Sequence, residues 1–404
     1  AILNSFAQNV VLRSDTGPHN VAGTSQNDLI QLGAGNAGAN GHDGDDTLIG
    51  GGGGDTLTGG AGADVLVGVV GASDAAFWTT STTQVVVDLT NQIANSADLG
   101  FDRMFSIESA VTGGGNDILQ GSGADNNLQG RSGNDWINGD TGNDTLFGDD
   151  GDDQLIGGNG NDSFVGGAGV DFYYGGAGKD TVSFSSETAG ISASFATSFF
   201  NVGGVTDWVG QDVEVVAFGS GNDTVVGWTQ NLTVNLGSGN DWFADYSAGN
   251  NDFVLGGFGD DTLQGLAGND QLYGNEGNDL LWGGAGNDVL LAGAGQDIMR
   301  GDGGADVFFF ALASESTLLA PDYVSDFETG TDKIDLSAID ANSVGGTSND
   351  PFTIVGAFDN TPGRLVLTNA GGYWTISADT NGDNMADMVI VVISPTLVAG
   401  DIVV

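Results

Sequence analysis

An aspartate recurs every nine residues along most of this 404-residue chain. Most of these aspartates take the sixth place of a frame that reads Gly-Gly-x-Gly-x-Asp-x-apolar-x. A nine-residue repeat is too short to bury a core alone, so the chain must fold by stacking many copies of one small unit. The aspartates that stand one or two repeat lengths from another member are Asp28, Asp46, Asp55, Asp64, Asp117, Asp135, Asp144, Asp153, Asp162, Asp171, Asp180, Asp223, Asp241, Asp252, Asp261, Asp270, Asp279, Asp288, Asp297 and Asp306.

The residue types within the frame predict a loop followed by a short strand. Glycine at the first, second and fourth places permits positive φ angles and leaves carbonyl oxygens uncovered in a tight loop. In a three-residue strand only the middle side chain faces inward, and this eighth place is apolar in nearly every repeat. Six loop residues should therefore alternate with three strand residues around a narrow core. The inward side chains include Leu48, Leu57, Leu66, Leu146, Leu155, Phe164, Leu263, Leu272 and Leu290.

The charge of the chain calls for a cation as partner. Asp and Glu number 54 against 7 Lys and Arg, and the formal net charge is −47. Carboxylates on stacked loops repel each other unless a metal ion lies between them. The same negative field excludes nucleic acid and anionic membranes, because no basic patch is present to meet phosphate. With no cysteine in the chain, metal must replace disulfides in an extracellular setting.

The repeats resemble the RTX family of secreted calcium-binding proteins, most closely at GGNGNDSFV (157–165) and GGAGNDVLL (283–291). The resemblance implies an all-β fold, a right-handed parallel β-roll in which two nonapeptides form one coil. It also implies multiple Ca²⁺ ions between loops one full coil apart, with all of the aspartates named above as ligands. Glycine-rich disorder is the alternative, and the constant register argues against it. The implied pairs include Asp46 with Asp64, Asp135 with Asp153, Asp144 with Asp162, and Asp270 with Asp288.

Two interruptions, where β-branched and aromatic residues replace the nonapeptide, divide the repeats into three blocks. We predict an N-terminal segment (1–22), a first roll block (23–68), a β insert (69–111), a second block (112–183), a second insert (184–217), a third block (218–309) and a C-terminal β cap (310–404). The inserts look related, because each contains a strand-like run that leads through an irregular stretch back to Gly-x-Asn-Asp. The apolar residues 1–12 form either a cap over the first coil or a strand offered to a neighbour.

Some repeats depart from the frame. Leu232 replaces an expected aspartate, and Ala37 and Asn126 mark similar lapses. Two extra residues also lie between Asp241 and Asp252. We expect weak or absent calcium sites at these places, with a bulge or kink at the phase shift.

The last hundred residues resemble the C-terminal cap and secretion region of serralysin-type metalloproteases. The resemblance is carried by ADVFFF and YVSDFETGTDKIDLSAI within 305–339, by DTNGDNMAD at 379–387, and by the final DIVV. It implies that a type I ABC exporter moves the unfolded chain out of a Gram-negative bacterium. It also implies that no N-terminal signal peptide is needed, and residues 1–12 lack the basic start of one.

The acidic turn within this region has two interpretations. Asp379, Asn381, Asp383 and Asp387 have the spacing of the first, third, fifth and ninth ligands of a calcium loop. The distal bidentate Glu of such loops is absent. The alternative is a solvated hairpin turn rich in Asp, Asn and Gly.

Motifs for catalysis are missing from the sequence. The zinc-protease helix His-Glu-x-x-His needs two histidines four residues apart, whereas the chain has only His19 and His42. No Gly-x-Ser-x-Gly nucleophile elbow occurs either. We therefore expect no enzymatic activity, and a site built from the inserts is the least favoured hypothesis. No apolar run is long enough to predict a membrane span.

The leading hypothesis is a secreted calcium-binding structural protein that self-assembles at the bacterial surface as a layer, filament or matrix. Its expected partners are further copies of itself, the exporter during secretion, and a cell-surface polysaccharide. The alternative is a soluble accessory or binding module, or a fragment of a larger type I-secreted enzyme or adhesin. Large aromatic residues at outward places serve either such contacts or packing on the inserts and cap. These residues are Trp136, Phe172, Tyr174, Trp242, Tyr273 and Trp282.

Overall fold

The protein is built almost entirely from short β-strands. The computed structural model describes residues 9–12, 20–71, 73–227, 230–246, 249–343 and 350–404. These ranges contain no α-helix, only one turn of 3-10 helix at Ala399–Asp401, and hence no helix that could cross a membrane. The chain forms two compact units, one of Ala1–Ser183 with Val205–Val213 and one of Phe184–Gly204 with Glu214–Val404.

In the first unit, 20 consecutive strands are followed by one strand from the second insert. They are β1 Asn9–Leu12, β2 Asn20–Ala22, β3 Asp28–Gln31, β4 Gly38–Asp43, β5 Thr47–Ile49, β6 Thr56–Ala61, β7 Val65–Val67, β8 Ala75–Phe77, β9 Val85–Asp88, β10 Ile93–Ser96, β11 Gly100–Phe105, β12 Ser109–Val111, β13 Ile118–Ser122, β14 Asn127–Ser132, β15 Trp136–Thr141, β16 Thr145–Asp150, β17 Gln154–Asn159, β18 Ser163–Ala168, β19 Phe172–Ala177, β20 Thr181–Ser183 and β23 Val205–Val209.

The second unit holds the remaining strands. They are β21 Ile191–Ser194, β22 Phe199–Val202, β24 Val215–Ala217, β25 Thr224–Val226, β26 Thr233–Ser238, β27 Trp242–Ala244, β28 Phe253–Phe258, β29 Thr262–Ala267, β30 Gln271–Glu276, β31 Leu280–Ala285, β32 Val289–Ala294, β33 Ile298–Gly303, β34 Val307–Phe309, β35 Asp322–Val324, β36 Lys333–Asp335, β37 Thr353–Val355, β38 Arg364–Ala370, β39 Tyr373–Asp379, β40 Met388–Ile393 and β41 Ile402–Val403.

Repeats one coil apart pair as parallel strands, which confirms the predicted parallel β-roll. In the first unit Leu146 of β16 pairs with Phe164 of β18, and Ile137 of β15 pairs with Leu155 of β17. The partners in each pair are two nonapeptides apart, so within the regular repeats even and odd strands form separate sheets. The inward side chains are fully buried, as predicted, because alternation sends every second side chain between the sheets.

The strands of regular repeats are longer than predicted. Six residues, as in Thr145–Asp150, replace the expected three. The reason is that loop residues one coil apart also pair, as Asp149 does with Gly167, and Gly133 N–H donates to the Asp150 carbonyl at 2.8 Å. Positive φ angles at loop glycines such as Gly142 (φ 128°) let the chain turn between these paired stretches.

The two inserts share a construction. In the first unit β9 and β10 form an antiparallel hairpin, and Val85 N–H donates to Asp117 Oδ1 at 2.7 Å. In the second unit β21 and β22 form the same hairpin, and Ile191 N–H donates to Asp223 Oδ1 at 2.7 Å. Donor and acceptor are 32 residues apart in both, which supports the related origin that the sequence suggested.

In the second unit the parallel register persists through the irregular repeat. Val234 pairs with Val254 and Phe243 with Leu263, so these partners are two residues further apart in sequence than in a regular coil. The two extra residues are therefore taken up in the loop before Asp252, and the paired strands keep their alignment. The C-terminal part adds an antiparallel meander of β38, β39 and β40, and β41 pairs with β36.

Part of the N-terminal segment lies outside the described residues, including His19. The described backbone of Asn9–Leu12 pairs in parallel with Asp28–Gln31 of the same chain. His42 is an exposed residue of β4 with φ of 75°.

Replacing one inward leucine should destabilise the second unit strongly. Leu272 is 0% exposed, and a cavity at such a site costs about 2–5 kcal/mol. We expect Leu272→Ala to lower the free energy of unfolding by that amount in urea titrations with saturating calcium. Gln271→Ala is the matched control, because its side chain is exposed on the same strand and should change stability by less than about 0.5 kcal/mol. Equal effects would contradict the assigned core.

Candidate metal centres

All of the predicted aspartates are buried inside the roll. One carboxylate oxygen of each regular aspartate binds the neighbouring coil. Asp153 Oδ1 accepts the N–H of Asp135 at 2.8 Å, and Asp135 Oδ1 accepts the N–H of Asp117 at 2.7 Å. We call this series of bonds the inner ladder. It ties each aspartate to the residue one coil before it.

The inner ladder joins the four implied aspartate pairs. The N–H groups of Asp46, Asp135, Asp144 and Asp270 donate to Oδ1 of Asp64, Asp153, Asp162 and Asp288 at 2.7 or 2.8 Å. The contact in each pair runs from a backbone N–H to a carboxylate oxygen. Calcium ligation by these pairs stays a prediction.

The second carboxylate oxygen is the informative atom. In most repeats Oδ2 is buried and has no hydrogen-bond donor, which is costly for an ionised group. Such an atom needs either a proton or a cation beside it. The predicted aspartates with an unpaired buried Oδ2 are Asp46, Asp64, Asp135, Asp144, Asp153, Asp162, Asp171, Asp223, Asp241, Asp252, Asp261, Asp270, Asp279, Asp288, Asp297 and Asp306.

The surroundings of Oδ2 suit a hard cation. A β-carbon added at Gly148 would lie 2.2 Å from Asp153 Oδ2 and 2.7 Å from the carbonyl oxygen of Gly166. A carboxylate oxygen and a carbonyl oxygen thus converge beside a bare glycine Cα. Ca²⁺ takes such oxygen ligands, so the residues present fit calcium. Within the described ranges, no cluster of three or more His, Cys, Asp or Glu side chains forms a metal site.

Burial makes these carboxyl groups weaker acids than usual. It is the main cause that raises the pKa of Asp171, Asp252 and Asp279 to about 8. The pKa of Asp135 rises to about 7 for the same reason, and nearby carboxylates add to the effect. The ionised form is therefore unfavourable at neutral pH unless a cation compensates it.

A few predicted ligands already have protein partners. Asp55 Oδ1 accepts the Ala37 N–H and Oδ2 accepts the Gly51 N–H at 2.6 Å. In Asp117, Oδ1 accepts the Val85 N–H and Oδ2 a longer bond of 3.4 Å from the Gly113 N–H. These two carboxylates are satisfied without metal. We therefore rank them as the weakest calcium candidates of the set.

The remaining members of the predicted set are Asp28 and Asp180, and Asn126 stands at a lapsed place of the same ladder. Asp28 Oδ2 accepts the backbone N–H of Thr24, whereas its Oδ1 is buried without a donor. Asp180 Oδ1 accepts the N–H of Asp162 at 2.9 Å. Asn126, which replaces an aspartate, donates from Nδ2 to the Glu108 carbonyl at 3.0 Å and accepts the Ser122 N–H at 2.7 Å. Its amide needs no cation, as expected for a lapsed site.

Sequence reasoning missed five aspartates that continue the inner ladder outside the nonapeptide frame. Asp74 and Asp102 accept the N–H groups of Asp55 and Asp64 in the first insert. Each missed aspartate lies beside or within a short strand, but the short apolar run there is a weak sequence signal that does not identify the partner. Asp322 matters most, because its Oδ2 is buried and unpaired. The five are Asp74, Asp102, Asp207, Asp322 and Asp332.

A second series of bonds, the outer ladder, uses the residue before each aspartate. Asp125 Oδ1 accepts the Asn143 N–H at 2.7 Å, and Asn143 Oδ1 accepts the Asn161 N–H at 2.9 Å. Asn161 Oδ1 then accepts the Lys179 N–H at 2.8 Å. In the outer ladder the acceptor comes one coil before the donor in the sequence, whereas in the inner ladder the acceptor comes one coil after the donor. They join the coils without involving the candidate metal ligands.

The acidic turn near the C-terminus is satisfied by its own hydrogen bonds. Asp379 accepts the N–H groups of Gly382 and Asn384, and Asp387 accepts those of Thr380 and the Asn381 amide. Both carboxylates therefore have donors. This geometry favours the hairpin-turn interpretation over a calcium loop.

Replacing the unpaired carboxylate oxygen of Asp153 should lower the stability of the fold in calcium and raise it without calcium. In Asp153→Asn, Oδ1 can still accept the Asp135 N–H, but the anionic ligand is lost. We expect the free energy of unfolding in saturating calcium to fall by roughly 1–3 kcal/mol. Without calcium the same change removes a buried charge, so folding on acidification should begin at a higher pH. Chemical denaturation and pH titration by circular dichroism measure the two effects.

Asp150→Asn is the matched control for this change, because it alters the same charge at an exposed side chain in the same coil. We expect it to change neither measurement appreciably. If Asp153→Asn were to behave like this control, Asp153 would not be a calcium ligand.

Comparisons with known proteins agree with this geometry. The family described as peptidase M10 serralysin C terminal matches residues 170–404, more than half of the chain. The RTX calcium-binding nonapeptide repeat matches residues 40–72, 111–146 and 147–182. Neither family describes a catalytic domain.

The curated relatives are matched over short stretches. Metalloprotease AprA of Pseudomonas entomophila (strain L48) is 40% identical over 102 residues, which cover 24% of this chain and 20% of that protein. Metallopeptidase AprA of Pseudomonas marginalis is 35% identical over 94 residues, covering 23% and 18%. The chain thus spans about a fifth of the length of these relatives.

Two solved structures show limited similarity. The AlgE6R3 subunit of the Azotobacter vinelandii mannuronan C5-epimerase has a TM-score of 0.20 at 26% identity, covering 39% of this chain and 80% of that one. The extracellular lipase LipA from Serratia marcescens has a TM-score of 0.17 at 14% identity, covering 98% and 42%. These scores are too low to add to the family assignment. From the family match, the repeats and the unpaired buried oxygens together, the chain belongs to the peptidase M10 serralysin C-terminal family and carries the calcium-binding nonapeptide repeats of RTX proteins.

Proposed function

We propose that this secreted calcium-binding protein is a structural protein that folds on extracellular calcium and self-assembles at the bacterial surface. The observation that carries the proposal is the set of buried Oδ2 atoms without donors. Low cytosolic calcium keeps the acidic chain unfolded and suited to a type I ABC exporter. Millimolar calcium outside a Gram-negative cell then stabilises the folded state by binding only to it.

An apolar outer face in the second unit supports self-association. Four consecutive strands of one sheet, β28, β30, β32 and β34, carry apolar residues on their outward side, and all of these are half-buried. Two of them stack, with Phe253 and Tyr273 ring centroids 5.1 Å apart. On β16 and β18 of the first unit, polar Thr145 and Ser163 share the outward places with Phe147 and Val165. The outer face consists of Phe253, Leu255, Tyr273, Val289, Leu291, Val307 and Phe309.

Charge explains why assembly would depend on calcium. Copies with a net charge of −47 repel each other. Bound calcium lowers that charge and orders the sheet that presents the outer face. A second copy offers the same apolar surface, so the contact can be self-complementary.

Light scattering and negative-stain microscopy, with calcium raised from chelator to about 10 mM, test this proposal. We expect ordered sheets or filaments that dissolve again in chelator. The double variant Leu255→Ser with Leu291→Ser should fold but not assemble, whereas Val165→Ser, at an outward place of the first unit, should assemble normally. A parent chain that folds and stays monomeric at every calcium concentration would reject self-assembly.

The second candidate is an accessory module or a fragment of a larger secreted enzyme or adhesin. One observation favours it: the matched family is the C-terminal region of a peptidase family, and the metalloprotease relatives are matched over about a fifth of their length. Under this proposal the chain binds calcium and positions a separate functional domain. Mass spectrometry of the protein in the culture medium distinguishes the two, because a fragment predicts a mature mass well above 40.7 kDa. On either candidate we propose that this chain itself has no catalytic activity.

A further inference from the structure

The irregular repeat in the second unit holds a pair of buried carboxyl groups. Asp245 and Asp252 are 1% and 2% exposed. Their carboxyl groups lie within hydrogen-bonding distance of each other. Two carboxylates in this arrangement repel unless a proton or a cation lies between them.

The position of Asp245 in the repeat explains how it reaches Asp252. Four residues after a repeat aspartate the frame has glycine, as in Gly139, where an added β-carbon would lie 2.2 Å from Asp144 Oδ2. Asp245 stands at that place, four residues after Asp241. Its side chain therefore enters the space that glycine leaves open beside the carboxylate of the following repeat.

Two extra residues separate Asp245 from Asp252. In a regular loop the next aspartate follows the glycine by five residues, whereas Asp252 follows Asp245 by seven. The strands on either side keep their parallel pairing across the longer spacing. The phase shift is thus confined to the loop that brings the two carboxylates together.

A further atom at this place lacks a partner. Asp252 Oδ1 accepts the Leu232 N–H at 2.9 Å, whereas Oδ2 is buried without any hydrogen-bond donor. The neighbouring Asp270 also has an unpaired buried Oδ2, and its Oδ1 accepts the Asp252 N–H at 2.8 Å. Asp245 Oδ2 accepts a long hydrogen bond of 3.4 Å from the Asn250 amide. Oxygen atoms are therefore concentrated here beyond the number in a regular repeat.

We propose that Asp245, which lies outside the nonapeptide pattern, joins the repeat aspartate Asp252 in binding a Ca²⁺ ion. The ligands are carboxylate oxygens from both residues, which suits a hard divalent cation. The irregular repeat, which the sequence pattern marks as weak, thereby gains an ion in place of losing one. This site depends on calcium binding by the folded roll but not on assembly, and it would exist equally in a monomer.

Counting bound ions by native mass spectrometry in calcium tests the proposal. Asp245→Asn should bind one calcium fewer than the parent. Asp260→Asn is the matched control: Asp260 is exposed, its Oδ1 accepts the Asn278 N–H at 2.8 Å, and asparagine already occupies the corresponding places at Asn240 and Asn278. We expect the control to bind the same number of ions as the parent.

Each outcome of this count is decisive. Equal counts for Asp245→Asn and Asp260→Asn would overturn the proposal and indicate a shared proton between the carboxyl groups. A parent chain that binds no calcium would overturn the proposed function as well. If Asp245→Asn fails to fold, a crystal of the parent chain grown with terbium decides the matter. An anomalous peak between the two carboxylates supports the site, and its absence while regular repeats are occupied rejects it.

Discussion

Removing calcium with a chelator at pH 7.5 should unfold most of this chain, and restoring millimolar calcium should refold it. Sixteen of the predicted aspartates have a buried Oδ2 with no donor. Each would be an uncompensated charge in the folded state without metal. The far-UV circular dichroism signal of β-structure should fall to that of a disordered chain in the chelator. It should return in a steep, cooperative transition, because neighbouring coils share their bonds.

Two controls separate calcium binding from charge screening. Sodium chloride at matched ionic strength screens the net charge of −47 but offers no ligand to a buried oxygen. Magnesium tests the size of the sites, since it prefers a rigid octahedral shell and keeps its water. We expect neither salt to restore the β-signal. Full refolding in sodium chloride would mean that the carboxylates need only screening.

Acid should partly replace calcium. In the chelator, lowering the pH from 8 to about 5 should restore much of the β-signal. The reason is that burial raises the pKa of the repeat aspartates from 3.8 to about 6 for Asp46, about 7 for Asp64 and about 8 for Asp279. Between these values and 3.8 the folded chain holds protons that the unfolded chain has released.

The sign of the effect follows from linkage. A raised folded-state pKa makes the calcium-free fold most stable below about pH 4, and this stability is lost as the pH rises through 6 to 8. Saturating calcium removes most of this dependence, because the calcium-bound fold and the unfolded chain both carry ionised carboxylates above about pH 5. The calcium concentration at half folding should therefore fall as the pH falls from 8 to 5, since protons already stabilise part of the fold. A pH of 5 keeps the measurement above the isoelectric point of 4.1, where the chain would precipitate.

Circular dichroism at fixed pH values, with and without chelator, measures both trends. The Asp150→Asn variant is a suitable companion, since its exposed carboxylate should leave the curves in place. A chelated chain that stays unfolded at pH 5 would show that its carboxyl groups are not buried in a folded state. The same result would undermine the metal centres.

The nonapeptide frame was sufficient to predict stacked units of loop and strand, their buried leucines and the column of aspartates, whereas the parallel roll was implied by the resemblance to the RTX family. Leu272 occupies the same place in its repeat as the other inward leucines do in theirs. In a solenoid, residues at the same place of successive repeats lie in the same surroundings. The predicted three-residue strands were too short, because backbone bonds between loops of neighbouring coils leave no mark on side-chain pattern. Asp150 at the end of β16 illustrates this: its carbonyl accepts a bond from Gly133.

Residues outside the frame could not be placed from sequence. Asp74, Asp102 and Asp322 join the inner ladder through insert and cap segments whose lengths differ. Their spacing of 19, 38 or 25 residues from the donor has no period to reveal it. Asp55 shows the reverse limit. It fits the pattern, yet the Ala37 N–H one coil before and the nearby Gly51 N–H satisfy both of its oxygens.

A crystal structure of the full chain grown in calcium tests the central claim most directly. The account predicts metal density beside Oδ2 of regular repeat residues such as Asp153 and Asp270, with a carbonyl oxygen of the next coil as a further ligand. It predicts none at Asp55, whose carboxylate already accepts two N–H bonds. Ions bound only at exposed acidic side chains, with the buried Oδ2 atoms lacking metal, would contradict it.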